Sequence, residues 1–304
     1  MKILVTGGLG AVGKPLSEEL KKRGNEVWIA DRTHYHEQNY IRCDVGEFRQ
    51  VESLFSENKF DFVYHLAAEF GRRNGEDHYE NLWKTNAVGT KNLIRMQERL
   101  KFKMIFTSSS EVYGDYRQIM NEDVMDTVAI KQMNDYAMTK WVNEMQILNS
   151  AGQFGTETVR VRLFNTYGPG EYYSEYRSAI CVFIYHAIHD MPYTVYTKHQ
   201  RTSSYIDDTA RTLANIHENF KPGMVYNIAG TDLHDMKQAS DIILRYLGKD
   251  DSRVEYQDEQ PDTTLIKKVD ASMAVRDLDH KSTVSLEDGI VRTIEWQRGI
   301  YLRD

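Results

Sequence analysis

Eight residues near the start of the chain, Thr6-Gly7-Gly8-Leu9-Gly10-Ala11-Val12-Gly13, restrict the fold more than any other stretch. Before them, Lys2 to Thr6 is a short β-branched run of the kind that forms a buried parallel strand. After them, Lys14 to Arg23 repeats leucine at positions 16 and 20, with Gly24 as a stop signal, which predicts a helix. Glycines between a strand and a helix make a βαβ turn for a dinucleotide. Gly7 permits the tight turn, Gly10 lets the backbone approach a diphosphate, and Gly13 permits close packing of helix on sheet. With Ala11 and Val12 they form the predicted cofactor turn, whose first helical N–H groups face the anion. Asp31 follows the next strand, Glu26 to Ala30, and its carboxylate suits ribose hydroxyls while repelling a 2′-phosphate. NAD is therefore expected over NADP, although Arg32 beside it leaves a phosphate-accommodating alternative open.

The alternation continues. An amphipathic stretch at Val51 to Phe55, a strand at Asp61 to His65, a helix from about Ala87 to Leu100, a strand at Lys103 to Ser108, a helix around Tyr136 to Ser150 and a strand at Thr158 to Phe164 succeed one another. Strands separated by helices predict an α/β fold, a Rossmann-type doubly wound parallel sheet. Beyond Tyr167-Gly168-Pro169-Gly170 the chain becomes rich in tyrosine and poorer in long strand signals. The expected division is residues 1–166 as a NAD-binding domain and 167–304 as a smaller, mixed α/β, mainly substrate-binding domain. Segments near 201–230, especially Ser204 to Asp208 and Val225 to Gly230, are expected to return to the sheet.

Composition narrows the function. A net charge of -7 argues against nucleic acid, which needs a concentrated basic surface. Two cysteines, Cys43 and Cys181, lack the paired spacing of a zinc site and are too few for a disulfide scaffold, so no metal is expected. The first residues carry no basic leader or cleavage signal, and no window approaches a membrane-spanning length of about 18 apolar residues. A cytoplasmic protein with no membrane partner is the expectation.

The glycine turn together with Tyr136-Ala137-Met138-Thr139-Lys140 resembles the extended short-chain dehydrogenase/reductase family, which includes NAD-dependent nucleotide-sugar epimerases, 4,6-dehydratases and uronate decarboxylases. The likeness spans nearly the whole chain, through Cys43-Asp44-Val45, His65-Leu66-Ala67-Ala68, Lys84 to Thr90, Ser108 to Gly114 and Phe164 to Pro169. It implies that Asp44 and Val45 border the adenine, that Leu66, Ala67 and Ala68 line the cofactor path, and that Asn86 supports the active-site backbone. Asn165, Arg201 and, more weakly, Arg177 are the implied contacts to the sugar or diphosphate of the substrate. Homodimerisation through the helices that begin near Val88 and Tyr136 is a further implication.

Tyrosine and lysine four residues apart on a helix share a face. The ammonium of Lys140 is expected to lower the phenol of Tyr136 from about 10, making it a base for a sugar hydroxyl, while Lys140 also holds the cofactor ribose. By the resemblance, Ser109 hydrogen-bonds the reacting oxygen, and Ser110 and Glu111 lie beside the outer sugar carbons. A glutamate at 111 is similar to dehydratases and decarboxylases, since a carboxylate near C5 can take the proton made acidic by a C4 ketone. Ser110 stands where many hexose dehydratases carry aspartate, and Gly170 where decarboxylases carry arginine. The expected activity is transient C4 oxidation of a nucleoside diphosphate sugar by NAD, leaning to 4,6-dehydration or decarboxylation, with 4-epimerisation as the alternative. A non-catalytic NAD sensor is opposed by the intact Ser109, Tyr136 and Lys140, and a simple reductase of small carbonyls by the long stretch after Tyr167.

Overall fold

Successive side chains of β1 (Lys2–Thr6) point to opposite faces of a sheet, and both faces are dry: Ile3, Leu4 and Val5 are all fully buried. The computed structural model describes residues 1–302. β1, β2 (Glu26–Asp31), β3 (Tyr40–Arg42), β4 (Phe62–His65), β5 (Lys103–Ser109) and β6 (Thr158–Leu163) form a seven-stranded sheet with a later strand, Val225–Ile228. The order is Val225–Ile228, β6, β5, β4, β1, β2, β3, and every pairing is parallel. This is the Rossmann-type sheet expected from the sequence.

One face packs Ile3, Val5 and Tyr64 under Leu16 and Leu20 of the helix Gly13–Lys22 and Leu213 and Ile216 of the helix Ile206–Glu218. The other packs Leu4, Val63 and Met104 under Leu54 of Phe48–Ser56 and Leu93 and Ile94 of Gly89–Leu100. Each such leucine or isoleucine contributes about 1.5–3 kcal/mol by burial. The strand order reverses between β1 and β4, so a crevice opens beyond the carboxyl ends of those strands. The glycine turn lies at the end of β1.

A second core gathers Ile184, Val195, Ile243, Ile290 and Ile294 from the helices Ala179–Ile188, Met236–Leu247 and Leu286–Tyr301 and from a short ribbon. The two regions expected to return behave differently. Val225–Ile228 does join the main sheet, at the edge beside β6. Ser204–Tyr205 instead pairs with Thr166–Tyr167 in a separate two-stranded ribbon, because the acidic first turn Asp207 and Asp208 starts a helix immediately afterwards. Where one helix from about Ala87 was expected, a π-helical turn at Lys84–Val88 precedes Gly89–Leu100. That turn holds Asn86 inward and fully buried.

Candidate functional site

The crevice at the switch point is a cavity of about 320 Å³, lined in part by Gly7, Gly10, Asp31, Arg32, Asp44, Val45, Leu66, Ala67 and Ala68. Nine of the expected cofactor residues thus meet in one place. Gly7 is in the left-handed region at φ +71°, and a Cβ there would lie 2.8 Å from Ala67 backbone. A Cβ on Gly13 would lie 2.1 Å from the carbonyl oxygen of Gly7, so this glycine closes the turn upon itself, whereas close packing on the sheet was expected. Gly10 meets only that same carbonyl, at 3.2 Å, and faces the cavity. The side chain of Ala11 packs against the second core, and that of Val12 against both cores. Asp31 accepts from the N–H of Leu9 (3.1 Å) and of Thr33 (3.1 Å), which fixes its carboxylate at the cavity wall. Arg32 is paired with Glu69 at 2.7 Å. A tight left-handed turn, an open backbone edge at Gly10 and a fixed acidic residue at the end of β2 fit a dinucleotide with an unphosphorylated ribose.

Asn86 stands behind this wall. Its side chain accepts from Glu69 N–H (2.8 Å) and donates to Glu69 carbonyl (3.1 Å) and Thr139 hydroxyl (3.1 Å). It therefore joins the cavity to the helix Asp135–Phe154, which carries Tyr136 and Lys140. Phe70, another cavity residue, meets the ring of Tyr136 edge-on at 5.8 Å between centroids.

Asn134 caps that helix by accepting from Ala137 N–H (2.9 Å), and the i, i+4 spacing puts both Tyr136 and Lys140 on its buried face. The Lys140 ammonium donates to the carbonyl of Thr107 on β5 (2.9 Å) and lies 5.9 Å from the Tyr136 ring centroid. Burial pushes Lys140 down to about 8, with Glu144 acting the other way. Burial likewise pushes the phenol of Tyr136 well above its usual value, opposed by a hydrogen bond with Ser109 and reinforced by Glu111. The expected lowering by Lys140 is absent: the ammonium serves the Thr107 carbonyl, so the protein's own groups favour the neutral phenol. Ser109 also accepts from Glu111 N–H (3.2 Å), which starts the short turn Ser110–Tyr113.

Glu111 has a partner that the sequence does not announce. Lys267, buried and 1% exposed in its side chain, forms an ion pair with one carboxylate oxygen of Glu111 and donates to Ser110 hydroxyl at 3.3 Å. The other oxygen, Oε2, is buried with no hydrogen-bond partner. Burial works to raise Glu111, but Lys267, then Arg201 and Asn134, outweigh it and hold the carboxyl below its ordinary range. Lys267 itself is lowered, chiefly by burial, against the pull of Glu111. Arg201 donates to the carbonyls of Gln200 and Leu265, both at 2.8 Å, and contacts His199 Nδ1 at 2.9 Å. Asn165 adopts φ +40°, and its buried Oδ1 lacks a partner, as expected of a side chain held for something else. Arg177 does not join this group: it lines the cofactor cavity with Gly7 and Gly10. No group of three or more His, Cys, Asp or Glu side chains able to hold a metal occurs among the described residues. No helix there is long and apolar enough to cross a membrane.

Lys267, Asn134, Glu69 and Phe70 complete the site and were missed. Lys267 arrives on a segment that bridges to Gln200, 156 residues from Glu111, so no local spacing reveals it.

The sequence model of the "NAD dependent epimerase/dehydratase family" matches residues 3–229. UDP-N-acetyl-alpha-D-glucosaminuronate decarboxylase of Bacillus cytotoxicus is 30% identical, with 98% of each chain covered. dTDP-glucose 4,6-dehydratase of Salmonella typhimurium is 24% identical over 97% of this chain and 92% of that protein. Among solved structures, UDP-glucuronic acid 4-epimerase from Bacillus cereus, in complex with UDP-glucuronic acid and NAD, superposes with a TM-score of 0.88 at 25% identity, covering 99% of this chain and 100% of that one.

Proposed function

Given that the chain belongs to the NAD-dependent epimerase/dehydratase family, we propose that it is the decarboxylase of a nucleoside diphosphate uronate. It is a NAD-dependent enzyme of nucleotide-sugar modification, and the open choice is the fate of the sugar once C4 is oxidised. The observation that carries the reading is the clamp of Lys267 on Glu111 and Ser110. Loss of water across C5 and C6 requires a base for the C5 proton, and a carboxylate paired with a buried ammonium and held below its usual range is a poor one. Loss of carbon dioxide from a C4-keto uronate requires no base. It requires a place for an anionic C6 group and a proton for C5 afterwards.

Both are at hand. Lys267 and Arg201 place two cations around the single carboxylate of Glu111, so an anionic sugar suits the cleft. NAD bound in the cleft serves first as hydride acceptor and then as hydride donor. Tyr136, oriented by Ser109, takes the C4 hydroxyl proton as a phenolate, which the positive nicotinamide ring would favour against the neutral phenol that the protein's own groups hold, and Lys140 would orient the cofactor ribose. The C5–C6 bond then breaks, its electron pair moves into the C4 carbonyl, and carbon dioxide leaves. Lys267, whose ammonium burial makes readier to give up a proton, protonates C5 and is refilled from water. Asn165 and Arg201 are proposed to hold the sugar diphosphate. The Bacillus cytotoxicus relative, a uronate decarboxylase by name, supports this choice. Gly170, where decarboxylases carry arginine, favours 4-epimerisation as the second reading.

A homodimer belongs to the same proposal, because Val88, Met138, Met145, Leu148 and Phe154 are exposed apolar residues on or beside two adjoining helices. A reducing compartment suits Cys43 and Cys181, both free thiols, and a cytoplasmic location is proposed on that ground. The test is incubation of the purified protein with UDP-linked uronates and hexoses, with products followed by mass spectrometry. Loss of carbon dioxide from a uronate is expected. A uronate product of unchanged mass, or a hexose product lighter by water, overturns the proposal.

A further inference from the structure

Residues 170–178 cross the mouth of the cofactor cavity from wall to wall. At one end Gly170 lies on the glycine turn, where a Cβ would sit 4.0 Å from the Ala11 carbonyl oxygen. At the other end the Tyr176 carbonyl approaches Gly71, at φ +95°, so closely that a Cβ on Gly71 would be 2.9 Å away. Gly71 precedes the helix Arg72–Asp77, beyond β4 on the opposite wall. Tyr176 hydroxyl donates to Asp77 (3.1 Å), and Arg73 pairs with Glu175 (3.1 Å), so this end is latched by side chains as well. Within the strap Glu171 accepts from Ser178 N–H and hydroxyl (2.9 and 2.7 Å), and Tyr173 N–H donates to Tyr301 hydroxyl of the second core (2.8 Å).

Three residues of this strap, Ser174, Tyr176 and Arg177, line the cavity. The remaining charged lining is mostly acidic, Asp31, Asp44 and Glu69, and Arg32 is occupied by Glu69. The guanidinium of Arg177 makes no hydrogen bond or close ion pair among the described residues, and the opposite charge it acts on within the strap is the buried Glu171, whose carboxyl it works to lower. A dinucleotide laid on the glycine turn brings a diphosphate under this strap, with charge that Gly7 and Gly10 meet only through backbone N–H groups.

We propose that the strap is the retaining bar of the cofactor site and that Arg177 is its anion contact, pressing the dinucleotide diphosphate against the glycine turn. The sequence alone places Arg177 with the sugar substrate; its position beside Gly7 and Gly10 moves it to the cofactor. The latch to Asp77 and Arg73 then sets how often the cofactor leaves. This rests on NAD dependence alone and stands or falls separately from decarboxylation.

The test loads the full-length protein with NADH and follows the fall in its fluorescence on mixing with excess NAD. Arg177→Ala is expected to speed release on the order of 10- to 100-fold, the worth of a charge-assisted phosphate contact, with Arg177→Lys between. The latch variant Asp77→Asn/Glu175→Gln is expected to speed binding and release together, leaving Kd within about 3-fold, as a gate does. Thermal unfolding midpoints within a few degrees of wild type certify the fold of each variant. Wild-type release rates in both variants overturn the proposal, and so does an Arg177→Ala protein whose KM for the nucleotide sugar rises while NADH release is unchanged.

Discussion

Replacing Lys267 with methionine leaves Glu111 as a buried carboxylate with only Arg201 and Asn134 to answer it. Removing one partner of a buried ion pair costs about 3–5 kcal/mol, so Lys267→Met should lower the thermal midpoint by several degrees at neutral pH. The sign of the pH dependence distinguishes the two proteins. In the wild type Glu111 sits below its ordinary value, so its stabilisation is present above the unfolded carboxylate pKa and is lost as pH falls through the lower, folded one. In the variant burial prevails and raises Glu111, so acidification should restore part of the lost stability as the carboxyl takes up its proton. Melting curves between pH 4 and 8 check this, and a variant that only loses stability on acidification contradicts the clamp. Tyr136→Phe keeps the packing and removes the proton acceptor. Its kcat should fall about 10²–10⁴-fold while NADH titration gives an unchanged Kd.

The helix Asp135–Phe154 presents Tyr136, Lys140 and Glu144 on one buried face at successive turns. Glu144 accepts from Ser108 hydroxyl at 2.6 Å and from Arg162, paired at 2.9 Å, so it ties this helix to β5 and β6. It also opposes the burial that lowers Lys140. Glu144→Gln should therefore let Lys140 fall further below about 8, and the alkaline limb of the kcat pH profile should move to lower pH. An unmoved limb in a folded variant means that Lys140 does not set it. Elements such as this helix were legible in the sequence because periodicity and stop glycines act locally. β3 was not, since two half-buried residues and an exposed one carry no pattern. The glycine turn and the Tyr136 to Lys140 spacing were readable for the same local reason. The clamp on Glu111 was not, because a lysine beside another lysine, Lys268, looks like solvated charge until the fold buries it. The π turn at Asn86 was likewise hidden, because its sequence continues a helical pattern and only the packing against Glu69 and Thr139 rewards the extra residue.

At the scale of the molecule, the apolar side chains Met145 and Leu148 stand on the outer face of that helix, 45% and 43% exposed. If two copies pair there, Met145→Glu/Leu148→Glu should convert the dimer to a monomer in sedimentation velocity, with the central sheet intact by circular dichroism. A wild-type chain that sediments as a monomer overturns the pairing.

The edge strand Val225–Ile228 has a consequence for how the protein is made. β6 emerges from the ribosome with one side bare, and some sixty residues, most of them outside the main sheet and its helices, must be synthesised before its neighbour appears. Asn227 on that late strand accepts from Tyr113 hydroxyl at 2.8 Å and donates to Met120 carbonyl at 3.1 Å, so the loop after β5 also waits for it. Excision or grafting at residue 166 would leave the edge of β6 unpaired. A nascent chain stalled there should be cut by protease, and one stalled well beyond residue 228 should resist.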